Sequence, residues 1–497
     1  MRHRAIGLAV LLLSVFTAFG QGKAQLYVDA VAREEPLRGA VFAALAVKAN
    51  GDTVLCHNHF QKCLPASNTK LITTGVALLA LGSDYEYKTT LAYNGSIDDG
   101  ALNGDLYIVG SGDPTLFSRD SIAVPDEKLL SLWAGLISKA GISSINGLVV
   151  GDGRYFDGSI EHGSWAYDDL GTYYGAGGDG LCFYLNEQDI SVSAGTAVGD
   201  PVKVSVGYPS TPWMSWSQTC VTSKAGTGDE LYLYNTDLAP VAEMRGTFAI
   251  DRKPKTEKCS NKFGALTCAY YLDNYLNSNG ISTEGYADID HSGHIRKGFV
   301  SGAPAASELT EIGSTSSPSL KRIAYVTNRR SDNFYAETLM RTVVKEILGT
   351  ACYDSLTVTY GKVFRDLGLD PRGIHIVDGS GLSRKNWISP DFFVSFLGAM
   401  LGSPVAKDYL EVLGSPVDGA YPSMLSGEPD EIRRRVRMKS GTVAGTRCFS
   451  GYILPAPGKP NDETIRFSIL INNCPVPSSV LSNIISRIIA LAAQENQ

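Results

Sequence analysis

The feature that most constrains the fold is a pair of polar motifs that lie far apart in the chain. Ser67-Asn68-Thr69-Lys70 places a hydroxyl three residues before an amine, and Ser331-Asp332-Asn333 begins 264 residues after Ser67. On a helix, positions i and i+3 share a face, so Lys70 can turn its amine toward the Ser67 oxygen and take its proton. A chain that uses both motifs in one site must fold so that residues 264 positions apart lie close together.

The beginning of the chain predicts a hairpin followed by the helix of the first motif. Residues 40–47 are apolar and predict a buried strand, and residues 53–56 predict a second strand after a turn at Asn50-Gly51. A helix is predicted over residues 67–81, because Gly82 ends the periodic run. The hydroxyl of the motif is therefore expected at a helix N-terminus, where backbone N–H groups and the helix dipole favour negative charge.

The end of the chain predicts further strands and a final helix. Strands are predicted over residues 435–439, 447–454 and 465–472, and a helix over residues 478–494. Strand–strand–helix at one end and hairpin–helix at the other can form one sheet with helices on its faces. This arrangement brings the chain ends together and leaves the middle of the chain outside as an insertion.

The middle of the chain has a β-rich pattern. From about residue 85 to residue 300, short strand-like segments alternate with Gly, Asp and Asn turns, and only residues 127–140 predict a helix. Helical periodicity returns near residue 308, and helices are then predicted over 319–328, 333–348, 355–367 and 390–401. The pattern predicts one or two β-rich domains inserted between helical segments.

Composition excludes some classes of function. The 497 residues are enough for two or three domains, and 44% hydrophobic with 19% charged residues is ordinary for a globular protein. The formal net charge of −7 gives no sign of a nucleic-acid-binding face, which would be basic. We therefore expect no nucleic-acid partner.

The first residues have the pattern of a secretory signal peptide. Arg2 and Arg4 precede an apolar stretch over residues 5–19, and small residues allow cleavage after about Gly20 or Ala24. An uncleaved anchor helix is the alternative, but the apolar stretch is short for a span of about 20 residues. The sequence predicts a cleaved signal peptide over residues 1–24 and an exported protein that is soluble or only loosely attached.

Nine cysteines follow the predicted signal peptide. An exported chain can form disulfides, and Cys56/Cys63 and Cys259/Cys268 are the pairs that are easiest to envisage. Because nine is odd, at least one thiol stays free or pairs between chains. No cysteine spacing resembles a zinc site.

Each motif taken singly also has a purely structural explanation. An S-x-x-K can lie on a solvated helix face, Ser331-Asp332-Asn333 consists of helix N-cap residue types, and Lys439-Ser440-Gly441-Thr442 suits a polar strand end. In the functional interpretation the second motif supplies a proton-relaying hydroxyl and an amide. The third supplies a glycine that lets a substrate backbone approach. All three occur in order and at predicted element starts, which favours the functional interpretation.

Together the motifs resemble those of the low-molecular-mass class C penicillin-binding proteins, serine D-alanyl-D-alanine carboxypeptidases and endopeptidases. The resemblance spans nearly the whole chain, because further stretches match as well: 104–107, 110–116, 378–384, 388–390, 451–452 and 467–473. The 264-residue separation matches the large insertion of this family and is far longer than in class A β-lactamases. One departure is Ser440, where the family more often has threonine.

The resemblance implies a fold and a domain order. The fold is α/β (α+β), a penicillin-binding/β-lactamase-like transpeptidase domain whose antiparallel sheet is flanked by helices, with a large β-rich insertion. The implied order is a signal peptide over 1–24, catalytic domain over 25–84 and 301–497, and one or, more in keeping with the pattern, two inserted domains over 85–300.

The resemblance also implies roles for the first two motifs. Ser67 attacks the carbonyl of the penultimate D-Ala and forms an acyl-enzyme, while Lys70 accepts its proton. Ser331 and Lys439 relay a proton to the leaving amine, and Asn333 holds the substrate amide. Burial and a neighbouring cation such as Lys439 both lower the pKa of a lysine, so either could make Lys70 a base.

The third motif is implied to bind the substrate. Backbone N–H groups of Ser67 and Thr442 form the oxyanion hole, and Ser440 and Thr442 bind the terminal carboxylate beside Gly441. Water then releases the acyl group. No metal or organic cofactor is required.

The sequence therefore predicts an exported, periplasmic DD-peptidase of a bacterium that acts on peptidoglycan stem peptides. It trims terminal D-Ala, cuts D-Ala–diaminopimelate cross-links, or does both, and β-lactams inhibit it covalently. Peripheral attachment to the membrane or wall and a homodimer are left open. The alternatives are a β-lactamase and a catalytically silent peptidoglycan-binding protein.

Overall fold

The structure, a computed structural model, describes residues 22–289, 294–295, 300–301 and 303–495. The predicted signal peptide lies outside the described residues up to position 21. In the part of the chain that is described, no helix has the length and apolar character needed to cross a membrane.

The described residues form two compact units, each built from separate stretches of the chain. The sheet unit comprises residues 22–64, 388–398 and 414–495. The large unit comprises the described part of residues 65–387 together with residues 399–413. The predicted domain boundaries after residues 84 and 300 stay a prediction.

Helices occur along the whole described chain. The α-helices are α1 (Lys23–Val31), α2 (Thr69–Leu81), α3 (Asp126–Lys139), α4 (Gly264–Ser278), α5 (Leu320–Arg330), α6 (Asn333–Leu348), α7 (Leu356–Asp366), α8 (Pro390–Leu401), α9 (Ala406–Glu411), α10 (Asp430–Arg433) and α11 (Ser478–Gln494). Every helix predicted from periodicity is found, with ends that agree within two residues.

Strands occupy both ends of the chain and most of its middle. They are β1 (Val41–Lys48), β2 (Thr53–His57), β3 (Lys88–Tyr93), β4 (Ser96–Asp98), β5 (Ala101–Asn103), β6 (Leu106–Val109), β7 (Ser144–Ile145), β8 (Val149–Asp152), β9 (Glu187–Ser193), β10 (Lys203–Val206), β11 (Ser215–Gln218), β12 (Val221–Ser223), β13 (Asp229–Thr236), β14 (Ala239–Ala249), β15 (Lys255–Ser260), β16 (Tyr286–Ile289), β17 (His294–Ile295), β18 (Val300–Ser301), β19 (Thr310–Ser316), β20 (Val436–Val443), β21 (Thr446–Ile453) and β22 (Ile465–Asn472).

The sheet unit is built on a five-stranded antiparallel sheet in the order β2-β1-β22-β21-β20. Strand β1, from the beginning of the chain, pairs along its whole length with β22, from Val41 opposite Asn472 to Lys48 opposite Ile465. The prediction that the two chain ends form one sheet is confirmed. Strand β20 lies at the edge of this sheet.

One face of this sheet is covered by α1 and α11. Alternate residues of the strands, such as Met438 of β20 and Ile469 and Ile471 of β22, pack in the same buried cluster as Ile485 and Ile488 of α11. Alternation places every second strand residue on one face. Burying each of these side chains fully is worth about 1.5–3 kcal/mol, so the strand that carries Lys439 is firmly anchored.

The large unit contains a seven-stranded mixed sheet among its described residues, in the order β18-β17-β16-β8-β6-β3-β19. Helices α3 and α4 contribute Trp133 and Leu272 to the buried cluster over this sheet. A separate cluster around Met244 and Phe248 joins strands of the β9–β15 segment. The predicted α/β fold with β-rich middle segments is confirmed.

Helix α2 is largely enclosed within the large unit. All residues from Thr69 to Leu78 are buried, and the helix packs against α5, α6 and α7. Its buried hydroxyls are bonded, since Thr73 Oγ1 donates to Gly379 O at 2.6 Å and Thr74 Oγ1 donates to Lys70 O at 2.7 Å. The helix therefore gives the first motif a rigid support.

Two elements differ from the prediction. Helix α4 lies inside the segment predicted as short strands, although its buried residues Cys268, Ala269, Leu272 and Leu276 have helical spacing. The tyrosines and asparagines between these residues weaken the apolar periodicity of the helix in the sequence. Strand β19 begins where helical periodicity was predicted to return, and it pairs with β3 from Thr310 opposite Tyr93 to Ser316 opposite Lys88.

All nine cysteines lie within the described residues and are free thiols. The envisaged disulfides are therefore not formed. Cys56 Sγ lies 3.0 Å from His59 Nδ1, whereas Cys63 Sγ faces the Gln61 carbonyl at 3.6 Å. Cys259 Sγ faces the Gln188 carbonyl, and Cys268 belongs to a different buried cluster.

Candidate active site

Ser67 lies in a 3-10 turn, Ala66–Asn68, that leads directly into α2. The helix proper begins two residues later than predicted. Ala66 has a left-handed backbone, with φ 47°, and its carbonyl accepts from Thr69 Oγ1 at 2.9 Å. Such a conformation costs a non-glycine residue about 1–2 kcal/mol, so the surrounding fold holds the half-buried Ser67 in place.

Lys70 is fully buried and donates to three neutral oxygens. Its Nζ lies 3.0 Å from Ser67 Oγ, 2.7 Å from Asn333 Oδ1 and 2.8 Å from the Ser380 carbonyl. The predicted nucleophile–base contact is thus present in the large unit. The hydrogen bonds to Asn333 Oδ1 and the Ser380 carbonyl orient the Lys70 amine toward Ser67 Oγ.

Burial lowers the pKa of Lys70 to about 8, and the carboxylates of Glu337, Asp332 and Asp378 oppose the shift. Burial is one of the two causes that the sequence predicted. A pKa near 8 leaves part of the lysine neutral near pH 7. A neutral amine at 3.0 Å can accept the proton of Ser67.

Asp332 and Asn333 divide the capping and functional roles between them. Asp332 is the N-cap of α6, and its side chain accepts from the Tyr335 N–H at 2.9 Å. Asn333, the first residue of α6, accepts from Lys70 and donates from Nδ2 to the Tyr174 carbonyl at 2.9 Å. Ser331, with φ 57°, forms the left-handed end of α5 just before them.

Glu337 and the turn that follows Asp378 close the site behind Lys70. The Glu337 carboxylate accepts from the N–H groups of Gly379 and Ser380 at 3.2 and 2.7 Å. Those bonds fix the Ser380 carbonyl that accepts from Lys70. Burial, followed by the neighbouring Asp378 charge, raises the pKa of Glu337. Glu337 is not part of any of the three motifs, although it lies one turn after Asn333 on the same helix.

Asp378 organises this turn and links it to the 165–174 segment. Its carboxylate accepts from the Ser383 N–H at 2.6 Å, Asn386 Nδ2 at 2.8 Å and Trp165 Nε1 at 2.9 Å. The same segment supplies the Tyr174 carbonyl that holds Asn333. Two of these contacts use backbone groups, the Ser383 N–H and the Tyr174 carbonyl, which a sequence motif does not display.

The third motif lies in the sheet unit, on the edge strand β20. Lys439 is buried and donates to the Ser440 carbonyl at 2.7 Å. The N–H groups of Met438 and Ser440 point away from β21, to Gly414 O at 2.8 Å and the Tyr421 hydroxyl at 3.2 Å. Because alternate N–H groups point the same way, that of Thr442 also points outward from the sheet.

The structure thus brings the predicted site residues together in two groups. Ser67, Lys70 and Asn333 are joined by hydrogen bonds in the large unit, next to Ser331. The neighbours Lys439, Ser440, Gly441 and Thr442 occupy consecutive positions of β20 in the sheet unit. A half-buried serine beside a buried lysine is the arrangement of a serine hydrolase that uses lysine as its base.

Comparison with known proteins agrees with this class. Residues 24–495 match the D-Ala-D-Ala carboxypeptidase 3 (S13) family. Over 484 residues the chain is 28% identical to the D-alanyl-D-alanine carboxypeptidase of Actinomadura sp. (strain R39), covering 94% of this chain and 85% of that protein.

Solved structures show the same fold. Penicillin-binding protein 4 (dacB) of Haemophilus influenzae has a TM-score of 0.80 at 21% identity, covering 93% of this chain and 98% of that one. A second structure of that protein, complexed with a β-lactam, has a TM-score of 0.75 at 21% identity, covering 95% and 99%. Bd3459, a predatory peptidoglycan endopeptidase from Bdellovibrio bacteriovorus, has a TM-score of 0.51 at 16% identity, covering 92% and 93%.

The chain belongs to the D-Ala-D-Ala carboxypeptidase 3 (S13) family. It is a serine hydrolase of the low-molecular-mass class C penicillin-binding proteins, as the motifs predicted.

Proposed function

We propose that this protein is an exported DD-peptidase that hydrolyses D-Ala-D-Ala termini of peptidoglycan stem peptides, D-Ala–diaminopimelate cross-links, or both. The observation that carries the proposal is the 3.0 Å contact of the buried Lys70 amine with Ser67 Oγ. A carboxypeptidase and a peptidoglycan endopeptidase are both among its relatives. We therefore propose that the enzyme cleaves one of these two bonds, or both.

The reaction begins when neutral Lys70 takes the Ser67 proton. Ser67 Oγ then forms a bond to the carbonyl carbon of the penultimate D-Ala, and the carbonyl electrons move to oxygen. When the tetrahedral intermediate collapses, the C–N bond breaks and the acyl group stays on Ser67. The leaving amine receives the proton from Lys70, relayed through Ser331 with the help of Lys439.

Asn333 is proposed to orient both the base and the substrate. Its Oδ1 accepts from Lys70 and one hydrogen of Nδ2 is donated to the Tyr174 carbonyl. A side-chain amide has two such hydrogens. The second is proposed to meet the substrate amide oxygen.

The β20 motif is proposed to stabilise the oxyanion and bind the leaving side of the substrate. The N–H groups of Ser67 and Thr442 donate to the developing oxyanion, an effect often worth about 3–4 kcal/mol. The hydroxyls of Ser440 and Thr442 bind the substrate carboxylate, and the charge of Lys439 favours it. Gly441 leaves room for the substrate backbone.

Release of the acyl group by water completes hydrolysis. A β-lactam carries a similar acyl group on a strained amide, and we propose that it acylates Ser67 and is released slowly. The β-lactam complex of the Haemophilus influenzae protein supports this part of the proposal.

Export is proposed from the N-terminal pattern, with the periplasm of a bacterium as the destination. Ala24 is buried in α1, and its N–H donates to the Glu495 carboxylate at 2.8 Å. Cleavage after about residue 20 leaves this contact intact, whereas cleavage after Ala24 removes it. N-terminal sequencing of the secreted protein is expected to begin before Lys23.

The test is to incubate the purified protein with cross-linked muropeptides and to follow products by mass spectrometry. Loss of D-Ala, cleavage of dimers, or both are expected from the wild type and from Ser96→Ala, which alters an exposed serine. Ser67→Ala is expected to give neither product. No product from the wild type and no acylation of Ser67 by labelled penicillin would refute the enzyme and favour a silent binding protein.

The same penicillin assay separates the peptidase from a β-lactamase. Slow release of the penicilloyl group from Ser67 is expected for the peptidase. Rapid turnover of penicillin, without action on muropeptides, would favour the β-lactamase instead.

A further inference from the structure

Arg447 lies beside the β20 motif on the neighbouring strand β21. It stands directly opposite Thr442 in the strand register, so the two side chains share a face. Its Nη1 contacts Thr442 Oγ1, its Nε donates to Ser482 Oγ at 2.8 Å, and its guanidinium lies 4.5 Å from the centre of the Phe449 ring. The side chain is therefore held in one orientation.

The charge of this guanidinium has no carboxylate partner within 4.0 Å among the described residues. Arg447 is nevertheless half-buried, and burial lowers its pKa. Arginine keeps its proton even so. A partly desolvated cation is normally paired with an anion, so the site has a built-in preference for an anionic ligand.

Two other half-buried arginines of the sheet unit have different partners. Arg437 donates to Arg434 O and Val436 O, and Arg466 donates to Lys48 O. Carbonyl oxygens only accept hydrogen bonds. The partners of Arg447 are hydroxyls, which can rotate and donate to an incoming anion. Arg447 is thus suited to a ligand, whereas Arg437 and Arg466 join parts of the backbone.

A second hydroxyl lies on the same face of β20. Ser440 is two residues from Thr442, so both side chains point to the side of Arg447. Because β20 is an edge strand and Thr442 is exposed, a ligand can reach this end of the sheet. Two hydroxyls and a planar guanidinium match the two oxygens of a carboxylate.

We propose that Arg447 binds the carboxylate on the leaving side of the scissile bond, together with the hydroxyls of Ser440 and Thr442. This inference rests on the proposed DD-peptidase function. In a D-Ala-D-Ala terminus the carboxylate is the free C-terminus. In a cross-link it is the carboxylate on the carbon that bears the cleaved amine. Arg447 therefore makes the enzyme selective for substrates with an ionised carboxylate at this position.

The first test compares an N-acylated D-Ala-D-Ala peptide with the same peptide amidated at its C-terminus. The wild type is expected to prefer the free acid. Arg447→Gln is expected to lower kcat/KM for the acid by about 10- to 100-fold and for the amide by less than about threefold. For Arg447→Lys, kcat/KM for the acid is expected to lie between the values of the wild type and Arg447→Gln. Equal losses on both substrates, or no loss on either, would overturn the proposal.

A matched control removes one positive charge elsewhere in the sheet unit. Arg434 is exposed, with 68% of its side chain accessible, and follows α10. Arg434→Gln is expected to keep the wild-type preference for the acid. A similar loss of preference in this variant would mean that net charge, and not Arg447, sets selectivity.

Equilibrium binding separates this proposal from the proposed function. In a Ser67→Ala background, calorimetry is expected to show tighter binding of the acid peptide than of the amide. Adding Arg447→Gln is expected to remove that difference, and an unchanged difference would overturn the role of Arg447. Binding of this kind with no turnover by the wild type would instead refute only the peptidase function.

Cross-linked muropeptide dimers distinguish the two sources of the carboxylate. The dimer is offered with the carboxylate beside the cleaved amine either free or amidated. A loss in Arg447→Gln confined to the free dimer and the free D-Ala terminus supports one site for both. If Arg447→Gln cleaves both the free dimer and the free D-Ala terminus as well as the wild type does, the proposal is overturned.

Discussion

Two regions of the large unit each contain a buried lysine, and they use it differently. Lys70 at the start of α2 donates to a hydroxyl, an amide oxygen and a backbone carbonyl. Lys262 forms a 3.0 Å ion pair with Glu161 and donates to the carbonyls of Gly175 and Ala176. Burial lowers the pKa of both lysines.

The partners decide which lysine can work as a base. When Lys70 loses a proton, its three bonded oxygens are neutral and no directly bonded anion is left behind. When Lys262 loses a proton, the carboxylate of Glu161 loses its counter-ion in a buried place. We infer that Lys262 stays charged and fixes the backbone at Gly175 and Ala176. The carbonyls it binds follow Tyr174, whose own carbonyl holds Asn333.

The largest expected effect is on catalysis, from Lys70→Met. Without the base, kcat/KM on a D-Ala-D-Ala peptide is expected to fall by about 1,000-fold or more. The free energy of unfolding is expected to change by less than about 2 kcal/mol, because losing a buried ammonium offsets the lost hydrogen bonds. Steady-state kinetics and urea unfolding measure the two quantities. Near-wild-type activity of Lys70→Met would show that Lys70 is not the catalytic base.

The matched change, Lys262→Met, is expected to reduce stability more than activity. It leaves Glu161 buried without its partner, which is expected to cost about 3 kcal/mol in urea unfolding. Activity per folded molecule is expected to fall by less than about tenfold, through the segment that holds Asn333. A double variant with Glu161→Gln is expected to regain part of the stability. Loss of activity without loss of stability would contradict the structural role.

The pH dependence tests whether Lys70 is the titrating base. With its pKa at about 8, kcat/KM is expected to rise with pH up to that value. Between about 8 and the ordinary lysine value near 10.4, the native state binds fewer protons than the unfolded state. Lys70 therefore makes stability increase with pH across that window.

Glu337→Gln sharpens this test because the Glu337 charge raises the pKa of Lys70. Removing that charge is expected to move the kinetic inflection to lower pH by about one unit. The amide keeps one acceptor for the N–H groups of Gly379 and Ser380. A change in rate with no shift of the inflection would mean that Glu337 acts only by holding that turn.

The sequence predicted Ser67, Lys70 and Asn333, and it missed the side chains and backbone groups that hold them in place. Ser67 and Lys70 were found because their spacing reflects a helix face, and Asn333 because it begins a periodic helix. The Tyr174 carbonyl was missed because every residue has a backbone carbonyl, so the sequence does not mark the one that is used. Lys262 was missed because its partner Glu161 lies far away in the sequence. Glu337 could have been found, because it lies on the helix face of Asn333 one turn later.

The fold was predictable to a similar extent. Periodic segments such as α6 and α11 were predicted at their observed ends, and the strand predicted over residues 465–472 is β22. Helix α4 was missed because polar aromatic residues mask its apolar period. The pairing of β19 with β3 was also missed, since pairing across more than two hundred residues depends on tertiary contacts.

The smallest expected effect comes from the backbone just before Ser67. Ala66 has φ 47°, a conformation that glycine adopts without cost, and the Lys70 region depends on it to present the serine. Ala66→Gly is expected to stabilise the native state by at most about 1 kcal/mol, because flexibility gained in the unfolded chain offsets the relieved strain. If the strain aligns Ser67, kcat is expected to fall by about twofold to fivefold while KM is unchanged. Ala249→Gly, at a buried alanine outside the site, is the control and is expected to lower stability without changing kcat. A stabilised Ala66→Gly enzyme with unchanged kcat would show that α2 and the bonds of Lys70 position the nucleophile without help from the strained turn.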